Sequence, residues 1–338
     1  MEICFIYKEV FSAVMEKRLH TYSKAKPIQM GKVGRRMQTG WKNILLPLLP
    51  EEPARILRAL PEGQVREVRL RLHQPMEVVL TGESRLFYGP NGRGMLLPEE
   101  TEPLLSAFCG RAVYAWEKEL GAGFVTLPAG CRVGITGRVS GREGMVRPVT
   151  GFCIRMGREV KGCACSLLPK LLERGRLLST LLFSVPGGGK TTLLRDIIRL
   201  VSQGEAGARG QRVCLNDERF EVSGSPMGER GFDLGPRTDV LGGMEKEGGL
   251  LRLLATMSPE ILAADELNLF ADARGILEAR RRGVTVLCTA HGDRLETLCR
   301  RRGLQELWAA GAFERYVRLE APGQMPRVYD GTGKELKE

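Results

Sequence analysis

The residues with the densest chemistry are Ser184-Val185-Pro186-Gly187-Gly188-Gly189-Lys190-Thr191-Thr192. Successive glycines let backbone N–H groups converge on phosphate oxygens without a Cβ in the way, and a helix beginning at the lysine adds its positive N-terminal dipole. Lys190 would reach the β- and γ-phosphates, and the Thr191 hydroxyl would ligate Mg²⁺. Pro186, Gly187, Gly188, Gly189, Lys190, Thr191 and Thr192 are therefore the expected cradle, with ATP and Mg²⁺ as cofactors. The phosphate-loop pattern G-x-x-x-x-G-K-[ST] has glycine where this chain has Ser184. That position eases the exit from the strand and does not touch the nucleotide, so the serine is tolerated.

Three further clusters complete a candidate site. An apolar run over Glu260–Ala264 ends in Asp265-Glu266, the Walker B form: Asp265 would hold Mg²⁺ through water and Glu266 would polarise the attacking water. The run 211–216 ends in Asp217-Glu218-Arg219, either part of the chemistry or a surface ion pair. Val284–Cys288 leads into Thr289-Ala290-His291-Gly292, where His291 would sense the γ-phosphate without carrying a fixed charge; a capping histidine is the plainer alternative. Glu266, Glu218 and His291 are the candidate catalytic groups, and Thr191 and Asp265 the metal ligands.

These residues must be held by strands and helices, and the pattern supplies them. Leu181–Val185 is apolar and uncharged, a buried strand; after it Leu193/Leu194, Ile197/Ile198 and Val201 recur at helical spacing. Strand, glycine-rich turn, helix and strand follow one another from residue 177 to 330, the signature of a parallel α/β sheet. Chemistry in such sheets gathers at the carboxyl ends of the strands, where all four clusters fall. Residues 222–249 read as a long glycine-rich loop enclosing Gly235-Pro236-Arg237-Thr238-Asp239. Ahead of this domain, residues 41–160 read as a smaller α+β domain. Helical spacing over 41–60 and 98–120 flanks strictly alternating strands such as Arg66–Leu72 and further strands at 76–80, 85–88, 124–127, 131–139 and 149–156. A linker helix is expected over 161–176, capped by Gly175, and a tail over 331–338.

The net charge of +11 implies an anionic partner, yet residues 1–44 alone hold nine Lys/Arg against three Glu. Residues 1–40 thus form a basic arm, disordered or an over-extended start. Nine scattered cysteines without a CxxC pair, and three histidines, exclude a spaced metal cluster and suit a reducing, cytoplasmic compartment. No apolar run approaches the ~18 residues of a membrane span.

With these motifs in place, the chain resembles the stage III sporulation protein AA family, mother-cell ATPases of endospore-forming bacteria. The matching stretches include Glu67-Val68-Arg69-Leu70-Arg71, Cys131–Arg138, Ile154–Glu159, Lys190–Asp196, Asp217-Glu218-Arg219, Gly235–Leu241, Met257–Glu260 and Thr289–Gly292. That family is similar to the ATPases of type II and type IV secretion systems. The resemblance implies an N-terminal α+β domain on a RecA-like P-loop ATPase core, assembled as a hexameric ring. It also implies membrane-embedded sporulation channel proteins as partners, at the forespore outer membrane. The Asp217-Glu218 pair looks like that superfamily's "Asp box" and His291 like its "His box". Arginines complete such sites, so Arg132, Arg138, Arg155 and Arg158 of the N-terminal domain are candidates to act in trans, beside Arg219 and Arg237 of the core. The chain departs from the family at Asp265-Glu266-Leu267-Asn268, where Asp-Glu-Ile-Gly is usual. Two other functions share the residues: a nucleic-acid-binding RecA-like motor, disfavoured because no aromatic stacking surface is evident, and a nucleotide-gated scaffold with little turnover, disfavoured by Glu266.

Overall fold

The structure is a computed structural model that describes residues 40–92, 94–110, 116–140, 145–225, 231–267, 272–320 and 324–336. The basic arm, apart from Gly40, lies outside the described residues, as do residues 268–271, which begin at the Asn268 departure from the family.

Strands β1 (Val65–Arg71), β2 (Met76–Leu80), β3 (Ser84–Phe87), β4 (Phe124–Leu127), β5 (Cys131–Ser140) and β6 (Met145–Arg155) form an antiparallel sheet in the order β3-β2-β1-β6-β5-β4. The alternation seen in β1 sends Val68 and Leu70 into a core with Val78, Phe152, Ile154 and Phe108 of the helix Pro98–Phe108. The helical spacing over 41–60, expected in short pieces between prolines, forms Trp41–Leu45, a 3-10 turn holding Pro47, and Glu51–Ala59 after Pro50, with Pro53 in that helix's first turn.

The linker expected as a helix over 161–176 is not one. Turns and a 3-10 turn at Leu168–Leu171 lead into a two-residue hairpin of β7 (Leu172–Glu173) and β8 (Arg176–Leu177). Arg174 and Gly175 both have positive φ, 49° and 76°. That is the pairing a type I′ hairpin turn demands, so the glycine turns a hairpin and does not cap a helix.

The second sheet runs β11-β10-β12-β13-β9-β14-β15, from β9 (Thr180–Ser184), β10 (Val213–Asp217), β11 (Thr238–Gly242), β12 (Ile261–Ala264), β13 (Thr285–His291), β14 (Arg315–Arg318) and β15 (Arg327–Asp330). Every neighbouring pair is parallel except β14–β15. β9, β10 and β12 are buried along their whole length, which is why Leu181–Phe183, Val213–Leu215 and Ile261–Ala264 read as apolar runs. The helix Lys190–Gln203 packs on them through Leu193, Leu194, Ile197, Ile198 and Val201, each contributing about 2 kcal/mol by burial, and ends at Gly204 in the left-handed region. Two expectations change here. β11 is a strand inside the segment read as loop. The residues after Asp330 fold back along β15, Leu336 N–H donating to Val328 O at 2.8 Å.

Candidate active site

Strand register assembles the site. Ser184 is opposite His291, Ala264 opposite Cys288, and Asn216 opposite Ala264. The next residues along each strand, at their carboxyl ends, are therefore the phosphate loop, Asp265-Glu266 and Asp217-Glu218. The loop sits where the chain leaves β9, which has β13 on one side and β14 on the other, a topological switch point.

The loop is preformed around its serine. Ser184 Oγ donates to Val185 O at 2.8 Å, inside the turn, in the space that Gly188 leaves free. A Cβ on Gly188 would lie 2.3 Å from that hydroxyl oxygen and 2.8 Å from the Ser184 Cβ. Gly188→Ala is thus expected to weaken nucleotide binding on the order of tenfold or more, from overpacking of about 1–3 kcal/mol. Ser184→Gly in the same chain should return most of the loss, and Ser184→Gly alone should bind normally. Nucleotide titration of the three variants checks this; additive effects would place the serine elsewhere.

Lys190 is buried. Its Nζ lies 3.4 Å from the carbonyls of Ser184 and Val185 and 3.2 Å from His291 Nδ1. Burial pulls its ammonium below the ordinary lysine range, against the pull of Asp265 and Glu266. An ammonium only donates, so Nδ1 accepts and the imidazole proton sits on Nε2, which donates to Glu266 Oε1. His291 therefore links the loop lysine to the Glu266 carboxylate.

The acids are equally fixed. Thr191 Oγ1 donates to Asp265 Oδ2 at 2.7 Å, and the fully buried Thr289 hydroxyl donates to Asp265 Oδ1 while accepting from the Glu266 N–H at 2.7 Å. Glu266 has φ 50°, a left-handed conformation that costs a non-glycine residue on the order of 1 kcal/mol and is often kept at functional positions. Burial pushes its carboxyl up. The His291 hydrogen bond and the Arg219 and Lys246 charges outweigh that and hold it below the ordinary glutamate range. Arg219 Nη1 is 3.4 Å from Glu266 Oε2.

The Asp217-Glu218-Arg219 turn divides its labour. Asp217 is buried and accepts the N–H groups of Val222 at 3.3 Å and Ser223 at 2.7 Å; burial raises its pKa, and its work is to shape the turn. Glu218 faces the site but is paired with Lys246 Nζ at 2.8 Å. Asn216, Glu218, Arg219, Glu221, Lys246, Asp265 and Glu266 line one pocket. A second, of about 350 Å³, opens on the other side of the loop, against Gly292, Asp293 and Arg318–Glu320.

The arginine candidates scatter. Arg219 is in the site. Arg132 pairs within the same chain with Glu221 at 2.5 Å and stacks 3.8 Å above the Phe124 ring. Arg158 donates to Gly63 O at 2.5 Å, Arg155 lies 3.5 Å from Glu67, and Arg138 is exposed on the β5–β6 hairpin. Arg237 is not brought to the site: its Nη1 donates to Ser202 O at 2.6 Å, and its carbonyl receives the Val213 N–H at the opposite end of the sheet. Sequence reading missed Lys246, Glu221, Thr289 and Arg195. Arg195 left a trace as a charge set beside an apolar helical stripe, and Thr289 as the first residue of the strand-end motif that holds His291.

The site donors are what a magnesium nucleotide needs. Thr191 and Asp265 offer hard oxygens within hydrogen-bond distance of each other, and Gly187 and Gly189 hold positive φ of 77° and 89° in the loop. A parallel sheet of this order with a smaller α+β domain ahead of it is the RecA-like ATPase fold of secretion motors. The structure of the pilus retraction motor PilT with bound ADP matches with a TM-score of 0.55 and 14% identity, over 83% of this chain and 81% of that one. The ATPase DotB of Legionella pneumophila gives 0.53 and 14%, over 84% and 78%. The chain belongs to the family described as "Sporulation stage III, protein AA", whose model matches residues 48–336. Stage III sporulation protein AA of Bacillus subtilis (strain 168) is 36% identical over 303 residues, 87% of this chain and 97% of that protein. No helix among the described residues is long and apolar enough to cross a membrane.

Proposed function

We propose that this protein is a Mg²⁺-dependent ATPase that works as a homo-oligomeric ring, expected to be hexameric. It would power a sporulation channel or secretion-like complex between mother cell and forespore, from the mother-cell cytoplasm at the forespore outer membrane. One observation carries the enzymatic half: the 2.7 Å contact between Thr191 and Asp265, which brings a phosphate-loop hydroxyl and a carboxylate from another strand to one point. Family membership supports the sporulation half.

When bound, Mg²⁺ would neutralise charge on the γ-phosphoryl oxygens of ATP. Gly187, Gly188, Gly189 and Lys190 bind the phosphates, with Pro186 and Thr192 framing the loop, and Thr191 and Asp265 hold the metal. Glu266, ionised and oriented by His291, receives the hydrogen bond of the attacking water. Glu218 is the weaker candidate base because Lys246 already neutralises it. Arg219 is placed to answer charge on Glu266 or on the phosphoryl group.

A rigid guanidinium from a neighbouring subunit would add ~10³–10⁵-fold, as in known phosphoryl transfer. Arg132 and Arg158 are engaged within the chain; Arg138 and Arg155 are the exposed candidates, Arg155 lying 3.5 Å from Glu67. ATPase activity per subunit should therefore rise with protein concentration. Mixing Lys190→Ala subunits with Arg138→Ala or Arg155→Ala subunits should restore part of the activity. Activity per subunit that stays flat across the monomer–oligomer transition would remove the trans arginine.

A further inference from the structure

Arg195 lies on the helix that starts at Lys190, and it is 5% exposed. Its guanidinium binds three carbonyls on two other segments. Nε donates to Val222 O at 2.7 Å, Nη2 to Glu221 O at 2.7 Å, and Nη1 to Arg158 O at 2.5 Å. The Phe232 ring centre lies 3.9 Å from its Cζ. Phe232 is wedged between two glycines: a Cβ on Gly130 or Gly224 would come within 2.5 or 2.7 Å of the ring. Gly130 belongs to the turn between β4 and β5, and its N–H donates to Gly224 O at 3.3 Å.

The turn so gripped carries Glu218, Arg219 and Glu221 into the active site. The N-terminal sheet holds the same turn from its other side, through Arg132 to Glu221 and Thr126 Oγ1 to Arg219 O at 3.4 Å. Arg158 lies just beyond β6, on the segment leaving that sheet.

We propose that Arg195 is a positioning residue that fastens the phosphate-loop helix, the 217–222 turn and the exit from the N-terminal sheet into one body, so that a shift of the N-terminal domain reaches Glu218 and Arg219. Only a planar fork with five N–H donors spans three carbonyls in fixed directions; a lysine offers one nitrogen. Burial lowers the Arg195 pKa to about 10, so the fork stays charged at neutral pH.

Its effect on turnover rests on the ATPase reading; the clamp itself does not. The test uses the full chain with Arg195→Lys, and Phe232→Leu as a second variant that leaves the fork in place. Without nucleotide, hydrogen exchange at the Val222 and Ser223 amides should be roughly tenfold faster or more in Arg195→Lys. With nucleotide, affinity should stay within about threefold while kcat falls about tenfold or more. Phe232→Leu should move exchange and kcat in the same directions by less, and it decides the matter if Arg195→Lys does not fold. Wild-type exchange at both amides in a folded variant overturns the clamp, and affinity lost in step with kcat overturns the positioning role. If the wild-type protein itself does not turn over ATP, the ATPase reading fails while the exchange measurement still judges the clamp.

Discussion

Lys190→Ala should abolish nucleotide binding and not merely slow hydrolysis. Lys190 is the single cation in the phosphate loop, and its Nζ is held beside the Ser184 and Val185 carbonyls, at the loop's throat. Charge-assisted hydrogen bonds contribute about 1.5–3 kcal/mol each. Losing two removes roughly 3–6 kcal/mol, on the order of 10²–10⁴-fold in affinity. The variant should still fold, because the helix behind it is held by five buried apolar side chains that do not touch the ammonium's role. Fluorescent-nucleotide titration reads the effect, and unchanged affinity in a folded variant would take Lys190 out of the cradle.

Glu266→Gln separates binding from chemistry. The carboxylate is set by His291 and by a strained backbone, and it makes no contact with Lys190 except through the imidazole. The amide keeps the shape but cannot act as base, so ATP affinity should persist while turnover drops ~10²–10⁴-fold. Acidity gives a second handle. Glu266 is ionised above its folded pKa, which lies below the ordinary glutamate range, so wild-type turnover should survive to unusually low pH before the carboxylate protonates. His291→Ala removes the hydrogen bond that opposes burial, so the acid limb should move to higher pH. Near-normal turnover in Glu266→Gln would transfer the base role to Glu218.

Much of this site is visible in the chain because parallel strands buried on both faces leave uninterrupted apolar runs, and the first polar residues after them mark the catalytic edge. Lys190, Asp265, Glu266, Glu218 and His291 all fall at such edges, and the register brings them together across sequence separations as long as the 101 positions from Lys190 to His291. What escaped has physical reasons. In the sequence the apolar run of β13 stops at Cys288 because Thr289 and His291 are polar, yet the Thr289 hydroxyl is buried without cost once Asp265 and the Glu266 N–H satisfy it. β11 is half exposed and follows Gly-Pro, so it has no apolar signature and exists through pairing with β10. Gly175 signals positive φ alike in a helix cap and in a hairpin, and the sequence does not separate them. Lys246 meets Glu218 across a separation of 28 positions, a contact without a local pattern. The arginines of the N-terminal domain were legible as a set, but their division into Arg132 and Arg158, bound within the chain, and Arg138, exposed, depends on tertiary contacts with Glu221 and Gly63.

The ATPase assignment stands or falls on steady-state phosphate release from ATP by the purified full-length protein, run with and without Mg²⁺ beside Glu266→Gln. Release that requires Mg²⁺ and collapses at least a hundredfold in the variant, about 2.7 kcal/mol of barrier, is the expected result. Wild-type protein that binds Mg·ATP yet releases no phosphate above the Glu266→Gln level, at concentrations where it is assembled, would contradict it.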